Sequence, residues 1–340
     1  MRVSGTTVRL ASALLSVALL FGQDDTTIRV NVRLVRILAT VKDPSGGLIG
    51  SLNKEDFEVR DNGAAQQVAV FERQTDQPLS VAVLIDNSGS TAKDLKYETD
   101  SVTRFVRALV REGNPEDAVA LYSFNWEIVK HNGFTRSVAS IDHSLRLLRG
   151  EAGTSLYDAI LLASRDIEDR QGRKILVVVT DGGDTISKTD FNRATEAAQL
   201  ADAVIYPILV VPITNEAGRN VGGENALTTF AQRTGGRVFS PTLGAEMDSA
   251  FDQILRDLRT QYLLGFYPKD VPLTSDRFHT LQVATRNPGL RVVARSGYYG
   301  EAQQDAVPAY SGSSTGPAGQ GSGQSVSPKK PQPANKVKGP

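Results

Sequence analysis

The chain has 340 residues, with 38 basic and 38 acidic side chains, so its formal net charge is zero. This balance gives no overall attraction to nucleic acid or to an anionic membrane surface, and we expect neither as a partner. The absence of cysteine excludes disulfides, thiolate catalysis and cysteine-ligated zinc. The three histidines, His131, His143 and His279, are widely separated in sequence, which argues against a histidine-rich metal site.

Residues 1–23 have the features of a secretory signal peptide. Arg2 and Arg9 give a positive start, and the apolar run Leu10–Phe21 is too short for a comfortable membrane span. No A-x-A cleavage pattern precedes Gln23, which leaves an uncleaved anchor as an alternative. We therefore predict a secreted or extracytoplasmic protein, in the periplasm or at the cell surface, with no membrane span after removal of the signal.

Residues 24–77 are predicted to form an N-terminal segment of β-strands. Apolar and polar residues alternate over Ile28–Leu34, which is typical of a half-buried strand. The stretch "DFEVRDNGAAQQVAVFE" predicts two short strands joined at Asn62-Gly63, because this pair suits the positive backbone dihedrals of a tight hairpin turn.

Residues 78–260 are predicted to form an α/β domain. The runs "SVAVLID", "DAVALYSF", "KILVVVTD" and "AVIYPILV" are nearly continuous in aliphatic residues, as in strands buried on both faces of a parallel sheet. Helical periodicity links apolar residues in two stripes, namely Val102, Phe105, Val106, Leu109 and Val110, and Met247, Phe251, Ile254, Leu255 and Leu258. The predicted fold class is α/β, a doubly wound, mostly parallel sheet with helices on both faces.

Residues 261–300 return to a strand pattern in "QYLLGFYP", "FHTLQVATRNPGLRVVAR" and "GYYG". Three strands cannot form a stable core by themselves. We therefore expect them to pair with residues 24–77 in one small all-β module. Residues 301–340 are rich in Ser, Gly and Pro and are predicted to be a disordered tail.

Oxygen-bearing side chains gather at the predicted carboxyl edge of the parallel sheet, where ligands bind in open α/β folds. The candidate metal ligands are Asp86, Ser88, Ser90, Thr154 and Asp181. Two carboxylates and three hydroxyls, without nitrogen or sulfur, suit Mg²⁺, with Mn²⁺ or Ca²⁺ as alternatives. Each residue alone is also explained as a helix cap or a turn residue, which is how we interpret Asp184 and Asp190.

The motifs "DNSGS", "GTSLYDA" and "VTDG" resemble the metal-ion-dependent adhesion site of von Willebrand factor type A (VWFA, VWA) domains, a Rossmann-like fold. The family pattern is D-x-S-x-S on one loop, threonine on a second and aspartate on a third, and all five positions are matched. The resemblance implies magnesium-dependent recognition of a protein ligand that presents an Asp or Glu carboxylate, without catalysis. The flanking segments "LNKEDFEVRDNGAAQQVAVFE" and "LRTQYLLGFYP" resemble those of secreted VWFA-related proteins of Acidobacteria.

Two other functions stay open at this stage. One is an extracytoplasmic scaffold or assembly protein whose metal site is purely structural. The other is a metal-dependent phosphate-ester hydrolase, although the second aspartate of haloacid-dehalogenase-type enzymes is replaced here by Ser88. Neither Ser88 nor Ser155 lies in a G-x-S-x-G frame, which argues against a serine hydrolase. The chain also has no P-loop and no G-x-G-x-x-G after its first parallel strand, so we expect no nucleotide cofactor.

The loop "VPITNEAGRNVGGEN" leaves the same edge of the predicted sheet as the metal-site loops. Asn215, Arg219 and Asn220 are therefore candidate ligand contacts. Trp126 also follows a strand at that edge, and we expect it to cover the end of the sheet rather than to contact a ligand.

Overall fold

The computed structural model describes residues 34–73, 77–89, 95–210, 220–242, 244–272 and 277–300. The predicted signal peptide, the tail 301–340 and the predicted strand Ile28–Leu34, apart from Leu34 itself, lie outside these ranges. Within the described ranges, no helix is long and apolar enough to cross a membrane.

Thirteen strands, six α-helices and one short 3-10 helix, Lys54–Asp56, are described. The strands are β1 (Val35–Lys42), β2 (Phe57–Asp61), β3 (Ala64–Gln66), β4 (Val70–Arg73), β5 (Leu79–Asp86), β6 (Ala118–Phe124), β7 (Ile128–Thr135), β8 (Arg173–Thr180), β9 (Ala203–Leu209), β10 (Tyr262–Phe266), β11 (Phe278–Thr285), β12 (Arg291–Ala294) and β13 (Gly297–Tyr299). The helices are α1 (Leu95–Glu112), α2 (Val138–Leu147), α3 (Leu156–Ile167), α4 (Phe191–Leu200), α5 (Val221–Thr234) and α6 (Ala245–Thr260).

The central sheet has five strands in the order β7-β6-β5-β8-β9. The four aliphatic runs form β5, β6, β8 and β9, which are parallel, so the α/β prediction is confirmed. The fifth strand, β7, pairs antiparallel with β6 at the edge and makes the sheet mixed. The sequence did not indicate β7, because its residues are half-buried or exposed and lack a long apolar run.

Helices cover both faces of this sheet. Apolar residues of α1, α2 and α6 pack on one face, and those of α3, α4 and α5 pack on the other. Both predicted helical stripes point inward, except that Val110 at the end of the first stripe is only partly buried.

Strands from before and after the α/β region form two further four-stranded sheets. One has the order β12-β1-β10-β4 and the other β13-β11-β2-β3, and every pairing in them is antiparallel. The two sheets enclose one shared apolar core, whose largest fully buried members are Tyr262, Phe266 and Ile37. Residues more than 200 positions apart thus become neighbours, as in the pairing of Val35 with Phe266.

The Asn62-Gly63 hairpin is present, with φ of 46° and 85° at the two turn residues, and it joins β2 to β3. The predicted second strand of this hairpin is divided, because β3 ends at Gln66 and β4 joins the other sheet beside β10. The Gln66 side chain donates to the Lys269 carbonyl and accepts from the Lys269 amide, both at 2.9 Å, where the chain leaves the sheet that contains β2 and β3.

Candidate metal-binding site

The carboxyl ends of β5 and β8 are neighbours in the central sheet, and the chain leaves them toward opposite faces of the sheet. In the sheet β5 lies between β6 and β8, and the helices that follow β5 and β8, α1 and α4, pack on opposite faces. The loops after β5 and β8 therefore diverge and leave a crevice between them. This arrangement is the usual ligand position in an open α/β sheet.

Asp86, the last residue of β5, occupies the floor of this crevice and has no exposed surface. One carboxylate oxygen, Oδ1, accepts a hydrogen bond from the Ser88 amide at 2.9 Å. The other, Oδ2, accepts from the hydroxyl of Thr180, the last residue of β8, at 2.6 Å. The Thr180 hydroxyl also accepts from the Gly182 amide at 3.1 Å. The Asp86 carboxylate is therefore oriented by both strands that border the crevice.

Burial raises the pKa of Asp86 from its ordinary value of 3.8 to about 6. Hydrogen bonds from Thr180 and Ser88 act in the opposite direction, and the nearby Asp181 carboxylate raises the pKa further. At pH 7 the Asp86 side chain is still mainly ionised, so folding places a desolvated negative charge beside a second carboxylate. A cation bound between them would reduce both the desolvation cost and the repulsion.

The loop that carries Thr154 is attached to the loop that carries Ser88. Ser88 forms a parallel β-bridge with Glu151. The Glu151 amide donates to the Asn87 carbonyl at 3.0 Å, and the Asn87 side chain donates to the Arg149 carbonyl at 2.7 Å. These contacts hold the loop before α3 against the end of β5.

The same loop is also attached to the segment that follows Asp181. The Thr154 amide donates to the Thr185 hydroxyl at 2.9 Å, and the Thr185 amide donates to the Thr154 carbonyl at 2.9 Å. Asp184 accepts from the Tyr157 amide at 3.2 Å and from the Ser187 hydroxyl at 2.6 Å. Three chain segments, with Ser88, Thr154 and Asp181, are thus joined by hydrogen bonds at one edge of the sheet.

The N-terminus of α5 packs tightly against the loop after β8. A Cβ atom at Gly223 would lie 1.5 Å from the Gly182 carbonyl oxygen, so only glycine allows this approach. Gly182 itself has a φ of 94°, in the left-handed region that favours glycine. This contact fixes the path of the backbone beside Asp181.

The structure describes only part of the predicted set. It brings together Asp86, Ser88, Thr154 and Asp181, of which the first three are buried and Asp181 is partly exposed. Ser90 lies outside the described residues.

Of the candidate ligand contacts, Asn215 and Arg219 also lie outside the described residues. Asn220 is exposed and is the N-cap of α5, where its side chain accepts from the Gly223 amide at 2.9 Å. Asp190, interpreted above as a helix cap, caps α4 by accepting from the Arg193 amide at 2.8 Å.

The prediction that Trp126 covers the end of the sheet is wrong. The Trp126 side chain is 60% exposed, and its indole nitrogen donates to the Glu151 carboxylate. It lies beside Gly153, where a Cβ atom would come within 3.3 Å of the Trp126 Cβ. Trp126 therefore borders the crevice on the solvent side, because the short Asn125–Glu127 turn between β6 and β7 points it away from the apolar core.

The chemistry of the described donors fits a hard divalent cation. They are carboxylate and hydroxyl oxygens, the ligands that Mg²⁺ prefers, and they converge on a buried carboxylate of raised pKa. The described residues contain no group of three or more His, Cys, Asp or Glu side chains placed to hold a metal. The candidate set here has two carboxylates, and hydroxyls make up the rest.

Sequence reasoning missed Thr180 and Thr185, which orient the site without belonging to the motif. Thr180 immediately precedes Asp181 in "VVVTDG", and its position at the end of a buried strand was a usable signal. Thr185 gave no comparable signal, because its partner Thr154 lies in a separate loop.

Comparison with known proteins supports part of this interpretation. The family model for the von Willebrand factor type A domain matches residues 81–183. A search of curated proteins gives no match.

Several solved structures are similar over about half to three quarters of the chain. BatB from Bacteroides thetaiotaomicron, described as a conserved hypothetical protein, is 19% identical, with 53% of this chain and 98% of that chain aligned and a TM-score of 0.43. The vWF domain of the type V pili tip protein Mfa5 from Porphyromonas gingivalis is 16% identical, with coverages of 53% and 94% and a TM-score of 0.45. The pilus adhesin SpaC from Lactobacillus rhamnosus GG is 9% identical, with coverages of 73% and 48% and a TM-score of 0.45.

The range matched by the family model begins in β5 and ends in the loop after β8, and it includes all five predicted metal ligands. The chain therefore contains a von Willebrand factor type A domain at residues 81–183.

Proposed function

We propose that this protein is an exported, non-enzymatic binding protein that recognises an acidic group on a protein ligand through Mg²⁺. The observation that carries the proposal is the buried Asp86 carboxylate at the crevice between β5 and β8, oriented by hydrogen bonds from Ser88 and Thr180 and surrounded by hydroxyl groups. The match to the VWA family model supports it. Export rests on the predicted signal peptide.

Asp86, Ser88, Ser90, Thr154 and Asp181 are the residues that would hold the ion. The two aspartates balance the charge of the ion, and the three neutral hydroxyls add donor oxygens without adding further negative charge. When bound, Mg²⁺ would supply an electrophilic centre that accepts a carboxylate oxygen from the ligand. Mn²⁺ and Ca²⁺ suit the same oxygen donors.

Hydrogen bonds among the described segments around Asp86 support a binding role. They connect the Asn87, Glu151, Thr154 and Thr185 segments, so these parts of the site are held together by the protein itself. A site organised in this way loses little conformational entropy on binding, which favours affinity. The exposed Trp126 at the rim offers apolar surface next to the point where a ligand carboxylate would enter.

The first experiment is an isothermal titration of the purified chain with MgCl₂. Thr154→Val removes one proposed donor oxygen, and Asp86→Asn removes the buried charge. Asp190→Asn is the matched control, because it makes the same chemical change at a helix cap where asparagine serves equally well. We expect Mg²⁺ binding in the wild type and the control and loss of binding in the other two variants. Equal binding in all four proteins would contradict the proposed site.

A second experiment separates the three functions considered. Peptides selected from a display library in Mg²⁺ are retested in EDTA and with each Asp or Glu replaced by its amide. Binding that needs both the metal and the carboxylate supports ligand recognition. Binding that needs neither, in a protein that still binds Mg²⁺, supports a structural metal. Turnover of p-nitrophenyl phosphate that is lost in Asp86→Asn would support a hydrolase instead.

A further inference from the structure

A cavity of about 40 Å³ lies at the opposite edge of the parallel sheet from the candidate metal site. It is bordered by the amino ends of β8 and β9 on one side and by β1 and β10 of a flanking sheet on the other. A single buried water needs roughly 10–15 Å³ of such space. The cavity therefore has room for about three or four waters or for one small oxyanion.

The side chains around this cavity carry an excess of positive charge. Four are cationic, namely Arg36, Arg173, Lys174 and Arg295. One is anionic, Asp202, whose carboxylate accepts from Arg295 Nη1 at 2.7 Å. Four positive charges against one negative charge leave an excess of three, in a chain whose overall net charge is zero.

Helix ends compensate only part of this excess. Gln199 near the end of α4 and Thr234 at the end of α5 border the cavity, and Arg173 donates to the Leu258 carbonyl in the last turn of α6. The C-terminus of a helix carries roughly half a negative charge, so three helix ends supply about 1.5. The side chains that line the cavity and the helix ends thus leave an excess of positive charge, which the nearby carboxylates of Glu168 and Asp169, beside Lys174, and of Asp117, beside Arg173, reduce further.

Two buried polar atoms of cavity-lining residues point to a ligand independently of the charge. Arg295 is 8% exposed and Gln199 is 4% exposed. Within the described residues, Arg295 Nε and Gln199 Oε1 have no hydrogen-bond partner. The first is a donor and the second an acceptor, so a protonated oxyanion, or an oxyanion with one bound water, would satisfy both.

Burial also affects Lys174, which borders the same cavity. Desolvation lowers the pKa of Lys174 below its ordinary value, and the Arg36 guanidinium lowers it further. The nearby carboxylates of Asp202, Glu168 and Asp169 act in the opposite direction. An anion in the cavity would offset both the desolvation of the ammonium group and its repulsion by Arg36.

We propose that this cavity is a binding site for a small oxyanion of the phosphate or carboxylate type. Arg36, Arg173, Lys174 and Arg295 supply the positive charge, and Gln199 accepts from a protonated oxygen or a bound water. Because β1 and β10 belong to a flanking sheet and β8 and β9 to the central sheet, the anion would stabilise the contact between these two sheets.

The test is isothermal titration of the full chain with sodium phosphate and, separately, with sodium acetate, at constant ionic strength and in EDTA. EDTA removes free divalent cations, so the candidate metal site does not contribute to the measured binding. The result is therefore independent of the function proposed above. Sodium chloride serves as the reference salt. We expect saturable binding of at least one oxyanion and an increase in melting temperature that chloride does not give. Binding of phosphate alone or of acetate alone identifies the type.

Variants locate the binding. Lys174→Gln and Arg36→Gln each remove one cation from the cavity wall, and we expect at least a tenfold loss of affinity in each. Arg107→Gln on the exposed face of α1 is the matched control and should bind as the wild type does. If one variant fails to fold, the other provides the test. A response no larger than that to chloride in the wild type, or equal affinities in the wild type and the folded variants, would overturn the proposal.

Discussion

Replacement of Asp86 by asparagine should change the stability of the protein in opposite directions with and without metal. In the absence of metal, the wild type must bury a carboxylate whose pKa is about 6 instead of 3.8. This shift of about 2 pKa units, at about 1.4 kcal/mol per unit, costs about 3 kcal/mol of unfolding free energy at neutral pH. The neutral amide of the Asp86→Asn variant would carry no such cost.

The sign follows from the direction of the shift. Because the pKa of Asp86 is higher in the folded protein, the folded state binds the proton more tightly, and this contribution to stability is present at low pH. It is lost as the pH rises from about 4 through 6. In EDTA at pH 7.5 we therefore expect Asp86→Asn to be more stable than the wild type by about 1 to 3 kcal/mol. The lower limit allows for the new amide group beside the Thr180 hydroxyl, which already accepts from the Gly182 amide.

Saturating Mg²⁺ should reverse the order. A ligand at a thousandfold excess over its dissociation constant stabilises the folded state by about 4.1 kcal/mol. This exceeds the variant's advantage of about 1 to 3 kcal/mol, and only the wild type can gain it. Urea denaturation at pH 4.5 and pH 7.5, with EDTA or MgCl₂, measures all four conditions for both proteins, with Asp190→Asn as the control. A variant that is less stable than the wild type in EDTA at pH 7.5, or that gains as much from Mg²⁺, would refute the reasoning.

Three further predictions concern the same site and the flanking sheets. Mg²⁺ affinity should fall about tenfold per pH unit below pH 6, because protons compete with the metal for the Asp86 carboxylate. Calorimetric titrations at pH 5, 6 and 7 would measure this dependence, and an affinity that stays constant would contradict it. Thr180→Val should weaken Mg²⁺ binding less than Asp86→Asn does, because it removes a hydrogen bond to the carboxylate without removing a proposed ligand; calorimetry on both variants provides the comparison. Tyr298→Phe should lower the unfolding free energy by about 1–3 kcal/mol, because the buried Asp61 carboxylate loses the hydrogen bond that Tyr298 donates at 2.6 Å; an unchanged urea midpoint would argue against this.

The parallel sheet could be predicted because its four strands are buried on both faces and therefore appear as aliphatic runs. The position of the candidate site followed from the same pattern, since the carboxyl ends of adjacent parallel strands meet at one edge. The edge strand β7 could not be found in this way, because it is half exposed and has no such run. The exposure of Trp126 depends on a short turn whose direction the sequence does not specify.

The flanking sheets show a second limit of prediction from local sequence patterns. Alternating apolar residues predict strands, but they do not say which of two facing sheets a strand joins. Strands β11 and β12 follow one another across a turn at Asn287–Gly289, yet each lies in a different sheet. The inward position of Asp61 follows from alternation with Phe57 and Val59. Its partners His279 and Tyr298, at 3.0 and 2.6 Å, are more than 200 residues away and could not be inferred from local pattern.

The most direct test of the central claim is the anomalous difference map of crystals of the full chain grown with Mn²⁺, collected for the wild type and for Asp86→Asn. We predict one anomalous peak in the crevice between β5 and β8, within about 2.1 Å of the Ser88 and Thr154 hydroxyl oxygens, and no peak there in the variant. The absence of a peak in the wild type at millimolar Mn²⁺, or a peak that persists in Asp86→Asn, would contradict the account.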